Sequence, residues 1–307
     1  MKLYFAPLEG LTDNTYRRLH RKYFAGVDKY FTPFFSPTVH RALTPKEARE
    51  LPPANTFDGV VVPQILTKNA EDFLWFAGVC RNLGYAEVNL NLGCPSGTVF
   101  SKGKGSGMLR DPDALDRFLE EIFAHTPLPI SVKTRLGVES PEEFPALLEI
   151  FNRYPIYELT LHSRVRTQLY KGEPNMEAFR YCLENANAPV CYNGDLRSLQ
   201  DIDEFRARFP ACHRVMLGRG LIADPAMLSD HKDTQTLQAF HDELLYEYVA
   251  AFGSERNAMF RLKENWFYLL PTFEGSEKLG KKLRKCTDIT EYKTITREIF
   301  ETLPRIN

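Results

Sequence analysis

The stretch Glu87-Val88-Asn89-Leu90-Asn91-Leu92-Gly93-Cys94-Pro95-Ser96 runs as a short apolar segment and then stops on a glycine, a thiol and a proline. Residues 87–91 have the length of a strand, and Gly93 with Pro95 fixes a turn directly after it. Working outward, seven more runs of this kind stand at 3–6, 29–32, 60–65, 130–134, 158–162, 190–193 and 214–217. Helix-length amphipathic stretches separate many of them, at 69–83, 112–125, 141–154, 176–185 and 198–209. Pro112 and Pro141 suit a first helical turn, where a missing N–H costs nothing, and Asp111 and Ser140 precede them as N-caps.

Strand–helix repeats in this number predict an α/β fold, a closed (β/α)8 TIM barrel. The alternative, an open doubly wound sheet, is expected to carry a Gly-rich dinucleotide loop after an early strand, and the sequence has none. The stretch 36–58 is long and Pro-rich, and on the active face it is expected to help cover a substrate. Beyond Asp224-Pro225 only helical signals remain, at 237–252, 257–270, 277–285 and 289–301. The expected division is a catalytic barrel over 1–233 and a small all-helical domain over 234–307.

Composition narrows the class. The 307 residues are 43% hydrophobic and 26% charged, which excludes a disordered or fibrous chain. A net charge of −1 argues against a strongly basic nucleic-acid binder in bulk, though not against local patches. Six cysteines lie scattered, with no C-x-x-C pair and no histidine cluster at metal-ligand spacing, so no metal site is expected. Such usage reads as reduced thiols of a cytoplasmic protein, and no run is apolar enough to span a membrane.

In a barrel of this kind the C-terminal strand ends face the active site. Those ends carry Pro7-Leu8-Glu9, Gln64, Asn91 with Cys94, Lys133 with Arg135, His162, Asn193-Gly194-Asp195 and Gly218-Arg219. The last two groups follow strands seven and eight, where glycines let backbone N–H groups approach a phosphate and Arg219 adds charge. Lys133 and Gln64 suit the polar edge of a flavin ring. Cys94, an unpaired thiol at a strand end, reads as either a nucleophile or a proton donor, and the other five cysteines as core thiols.

Several ordered motifs resemble those of the tRNA-dihydrouridine synthases. They are Ala-Pro-Leu-Glu-Gly-Leu-Thr-Asp at 6–13 with Arg17, Asn-Leu-Gly-Cys-Pro-Ser at 91–96, and Gly-Ser-Gly-Met-Leu-Arg-Asp-Pro at 105–112. Val-Lys-Thr-Arg-Leu-Gly at 132–137, His162-Ser163-Arg164 with 168–172, Asn-Gly-Asp at 193–195 and Gly-Arg-Gly at 218–220 continue the series. The resemblance implies FMN-dependent, NADPH-driven (or NADH-driven) reduction of the C5–C6 bond of a tRNA uracil. It implies hydride from reduced FMN to C6 and a proton from Cys94 to C5. Asn91, Arg135 and Tyr170 are then expected to contact the uracil. Pro7, Leu8, Glu9, Gln64, Lys133 and His162 are expected at the flavin, and Asn193, Gly194, Asp195, Gly218 and Arg219 at its phosphate. The chain departs from the family pattern at Leu8, often Met; at Asn89, usually acidic; and at Ser163, often Gly.

A target base inside structured RNA must be extruded, so basic surface is expected around the barrel mouth. Arg17-Arg18, Arg21-Lys22, Lys102, Lys104, Arg164, Arg166 and, in the helical tail, Arg261, Lys263, Lys278, Lys281-Lys282 and Arg284-Lys285 are the candidates. Trp266-Phe267-Tyr268 offers rings that could stack on bases, but three adjacent aromatics on a helix point in different directions, and most are expected in the core of the small domain. The resemblance implies tRNA as the partner, no membrane contact is expected, and the chain is expected to act as a monomer. Two rivals remain: a reductase of a free pyrimidine, which would have no need of the helical tail, and a non-catalytic binding module, which would have no need of Cys94.

Overall fold

The computed structural model describes residues 1–230 and 232–306. Eight parallel strands close into a barrel in chain order, the first pairing with the last. They are β1 Lys2–Phe5, β2 Lys29–Phe35, β3 Val61–Ile65, β4 Val88–Leu92, β5 Ile130–Arg135, β6 Glu158–His162, β7 Val190–Asn193 and β8 Arg214–Leu217. The expected TIM barrel is therefore present, and most strand ends fall within one residue of expectation. The exception is β2, which continues three residues past the expected stop at Thr32. Pro33 looks like a strand terminator in sequence, but the β2–β3 register shifts between Phe31 and Phe34. A bulge there accommodates the missing N–H, and the strand resumes.

Alternation along the strands sorts side chains into two environments. Val88, Leu90 and Leu92 pack outward against the helices, while Asn89 and Asn91 point into the barrel. Inside, an apolar cluster of Tyr4, Ala6, Phe31, Val62, Cys191 and Met216 fills the middle. Below it Glu158 accepts a 2.8 Å bond from the Tyr4 hydroxyl and pairs with Arg214 at 3.1 Å, while Lys29 pairs with Glu87 at 2.8 Å. Burial pushes the Glu158 carboxyl above its ordinary range, and these cations oppose that shift only in part. The bottom of the barrel is thus plugged, and its polar interior opens at the C-terminal mouth.

Helix Asn14–Tyr23 was not anticipated from the sequence, although its signals are conventional. Asp13 caps it by accepting from Tyr16 N at 3.0 Å, and Tyr16, Leu19 and His20 form its buried face. The stretch 36–58 contains a short helix, Pro45–Glu50, opened by a Thr44/Glu47 capping box. Glu50 bonds back to Asn14 N at 2.9 Å and to Arg17 at 3.4 Å, so this segment is stapled to the first helix.

The tail is helical, with Thr234–Phe252, Glu255–Leu269, Glu277–Lys285 and Ile289–Thr302. It docks on the first helix: Phe240 meets Tyr16 and Phe24 edge-on at 5.4 and 5.2 Å, and Tyr248 donates to Asp13 at 3.0 Å. Its own core is tied by Trp266, whose indole N–H donates to Tyr292 at 2.9 Å. Among the described residues, no helix is long and apolar enough to cross a membrane.

Candidate active site

The residues expected at the flavin, its phosphate and the uracil all line one cleft at the barrel mouth. From β1 come Pro7, Leu8 and Glu9, from β3 Gln64, and from β4 Asn91 and Cys94. Lys133 and Arg135 come from β5, His162 and Tyr170 from β6 and its loop, and Asn193, Gly194, Asp195, Gly218 and Arg219 from β7 and β8. Pro33 and Phe34 also line it; they lie beyond the strand run 29–32 read from the sequence, on the part of β2 that continues after the bulge.

The Cys94 turn is held from both sides. Asn91 Oδ1 accepts from Gly93 N at 3.0 Å and Cys94 N at 2.9 Å. The Cys94 carbonyl accepts from the Ser106 hydroxyl at 2.7 Å and from Ser106 N at 3.2 Å. Gly105, at φ +58°, lies close beneath: a Cβ there would sit 3.0 Å from Cys94 Cβ. Cys94 is half-buried, whereas the other five cysteines are buried, in agreement with their reading as core thiols. Desolvation raises its pKa, outweighing the lowering by Arg135 and Lys133. The thiol is therefore protonated at neutral pH.

Asn91 belongs to a relay of neutral amides. Its Nδ2 donates to Gln64 Oε1 at 2.7 Å, Gln64 Nε2 donates to Asn89 Oδ1 at 2.8 Å, and Asn89 Nδ2 donates to Ser131 Oγ at 2.8 Å. An amide at 89 both accepts and donates here, which a carboxylate does not do. After these bonds the amide nitrogens of Gln64 and Asn91 each keep one hydrogen for a ligand.

On β5 the two cations behave differently. Lys133 has no hydrogen bond or ion pair among the described residues, and desolvation together with Arg135 pushes its pKa down to about 8. A desolvated ammonium without a partner, at a ligand-sized cleft, fits a group that presents acceptor atoms. Arg135 is buried and occupied: it donates to Gly93 O at 2.9 Å, Val165 O at 3.1 Å and Leu169 O at 2.9 Å. It thereby ties the Cys94 turn to the loop carrying Tyr170, whose ring lies 5.6 Å from the Arg135 guanidinium and 4.8 Å from that of Arg219.

The β6–β8 side is a corner of three arginines around one carboxylate. Asp195 accepts from Arg164 at 2.6 Å and Arg219 at 2.6 Å, with Arg197 at 3.8 Å. Burial works to raise the Asp195 pKa, but the Arg164 hydrogen bond and the three cations outweigh it and the pKa is lowered. The corner keeps a surplus of positive charge, which suits a phosphate. Gly194 permits its geometry, since a Cβ there would lie 2.0 Å from the Tyr192 hydroxyl oxygen. Arg164 Nη1 also approaches His162 Nε2 at 3.2 Å. A guanidinium only donates, so Nε2 is the acceptor and the ring proton lies on Nδ1. Desolvation and the surrounding arginines and lysine hold the His162 pKa well below its ordinary value, so the ring is neutral.

The basic surface is smaller than the sequence suggests. Arg164 and Arg17 are buried, so neither is an RNA-facing residue: Arg164 serves Asp195 and the Gly172 carbonyl, and Arg17 serves Glu50 and the Thr12 carbonyl. Lys22 and Arg18 are paired with Glu243 and Glu247, and Lys263 caps the end of helix Glu277–Lys285 through the Arg284 and Cys286 carbonyls. Lys278, Lys281, Lys282, Arg284 and Lys285 are exposed and have no ion-pair partner among the described residues. Among those residues no group of three His, Cys, Asp or Glu stands ready for a metal.

Residues 4–301 match a family described as Dihydrouridine synthase (Dus). The chain is 26% identical to the tRNA-dihydrouridine(16) synthase of Neisseria meningitidis serogroup B, over 97% of this chain and 94% of that protein. It is 30% identical to the tRNA-dihydrouridine(16) synthase of Escherichia coli O157:H7, over 73% of each. Among solved structures, morphinone reductase in complex with tetrahydroNAD matches with a TM-score of 0.52 at 10% identity, covering 74% of this chain and 85% of that one. That likeness concerns the fold alone. With the family matched across nearly its whole length, the chain belongs to the dihydrouridine synthases, flavin-dependent oxidoreductases.

Proposed function

We propose that this protein reduces the C5–C6 bond of a uridine in tRNA, holding FMN in the barrel mouth and drawing electrons from NADPH (or NADH). The names of several similar relatives make position 16 the target we favour. The observation that carries the reading is the pairing, in one cleft, of a protonated half-buried thiol with an unpartnered, desolvated lysine.

The residues fit FMN. Arg219 and the backbone of Asn193-Gly194-Asp195 and Gly218 take its phosphate, Lys133 and Gln64 its polar ring edge, His162 donates through Nδ1, and Pro7, Leu8 and Glu9 flank it. When bound, FMN supplies the hydride to C6. Cys94 holds the proton that C5 receives, and its partial burial keeps that thiol from ionising. Asn91 offers its remaining N–H to a uracil carbonyl, with Tyr170 and Arg135 beside it. Because Arg135 is occupied by three carbonyls, its main contribution is to hold the Cys94 and Tyr170 loops together. In this reading residues 1–233 are the catalytic barrel, 234–307 bind tRNA, and a monomer works in the cytoplasm.

Mapping dihydrouridine in total tRNA from a strain lacking the gene tests the reading. Loss of the modification at position 16 alone, restored by the intact gene, is expected. An unchanged map would overturn it.

A further inference from the structure

Two cavities flank the barrel mouth where it meets the helical tail, and their charge differs. One, between the β1 and β2 loops and helix Thr234–Phe252, carries five carboxylates, Glu9, Asp13, Glu47, Glu50 and Glu247, against four cations, Arg18, Lys46, Arg49 and Arg261. The other, of about 560 Å3, lies between helix Arg219–Ala223 and the tail and is lined by no acidic residue. Its walls are aromatic and aliphatic, and its cations are Arg197, Arg219, Lys263 and Arg284.

Three features of the second cavity point to a ligand. Phe267 is 73% exposed, far more than the neighbouring Trp266 at 2%, so its ring is not spent on the tail's core. Arg219 lines both this cavity and the catalytic cleft, so one side chain separates the two openings. Exposed Arg197 and Arg284 stand on its border, beside the unpaired lysines of helix Glu277–Lys285.

Resting on the function proposed above, we infer that this cavity takes a second nucleobase of the tRNA, a neighbour of the uridine held in the barrel. Its ring stacks on Phe267, and the phosphates on either side are met by Arg197 and Arg284. The acid-free lining favours a polyanionic strand here, whereas at the other cavity carboxylates offset the cations. An exposed aromatic ring beside arginines is the arrangement that holds a single-stranded base without reading its identity. Capturing a neighbour stabilises the open conformation of the loop, so the cavity contributes to extruding the target base.

The test uses the flavin-loaded full chain and an unmodified tRNA transcript. Phe267→Ala is expected to raise KM for tRNA about tenfold, within the range for loss of one stacked base, with kcat changed less than twofold. Phe267→Trp is expected to restore KM. With 2-aminopurine placed next to the target uridine, binding is expected to quench its fluorescence in the wild type and not in Phe267→Ala. The rate at which NADPH reduces the flavin, which needs no tRNA, is expected to match the wild type in both variants and so reports an intact barrel. A KM for Phe267→Ala within twofold of wild type, or quenching that persists in it, would overturn the inference alone. A wild-type protein that forms no dihydrouridine in tRNA would overturn the function and the inference together.

Discussion

The two halves of the barrel mouth are built from different chemistry. The β3–β5 half holds its shape with neutral amides: Ser131, Asn89, Gln64 and Asn91 pass hydrogen bonds along to the Cys94 turn. The β6–β8 half holds its shape with charge, three arginines gathered on Asp195. The proposed reaction needs the Cys94 thiol protonated, which neutral amides favour, because each added cation favours the thiolate. A phosphate belongs beside arginines. Lys133 and Arg135 stand on β5 at the border, and desolvation of Cys94 outweighs both.

The largest effect on this contrast is expected from Arg164→Met. It strips Asp195 of its buried partner and leaves the Gly172 carbonyl and His162 Nε2 without donors, at a cost of about 3 kcal/mol in urea unfolding. A loss below 1 kcal/mol would mean that the charged half does not depend on this arginine.

At the border, the affinity of the flavin-free protein for FMN is expected to depend on pH through Lys133. Its pKa of about 8 means that the ammonium is charged below that pH and neutral above it. Binding that needs the charged form therefore weakens as pH rises, by about tenfold per unit above about 8. Titrations should show this slope in the wild type and its disappearance in Lys133→Met; a flat profile in the wild type would remove Lys133 from the flavin site.

The smallest effect is expected in the neutral half. Asn91→Ala leaves the N–H groups of Gly93 and Cys94 without their acceptor and Gln64 Oε1 without its donor, yet the turn is half-exposed and Gln64 borders the cleft, so water replaces part of the loss. A destabilisation of roughly 1 kcal/mol is expected by the same urea assay. A loss equal to that of Arg164→Met would erase the distinction between the halves.

The contrast was half legible in the sequence. Cys94, Lys133, His162 and the Asn193 and Gly218 turns stand where apolar strands stop, so their convergence followed from the barrel alone. Arg164 was not legible, because a basic residue in a loop reads as surface until a buried carboxylate from another strand is found against it. Asn89 read only as a departure from the family pattern, since its acceptor and donor roles depend on neighbours from β3 and β5. Pro33 concealed the continuation of β2 because a bulge is a property of the pairing, not of the strand. In Trp266-Phe267-Tyr268, helical periodicity separates the three rings, but only the docking of the tail shows which one is left outside.

The central claim is that Cys94 is the proton donor at C5. Flavin-loaded Cys94→Ala protein, given NADPH and unmodified tRNA, tests it most directly. The account predicts NADPH-driven reduction of the flavin at the wild-type rate and dihydrouridine formation slowed by about 100-fold or more. Dihydrouridine formed by Cys94→Ala at close to the wild-type rate would contradict it.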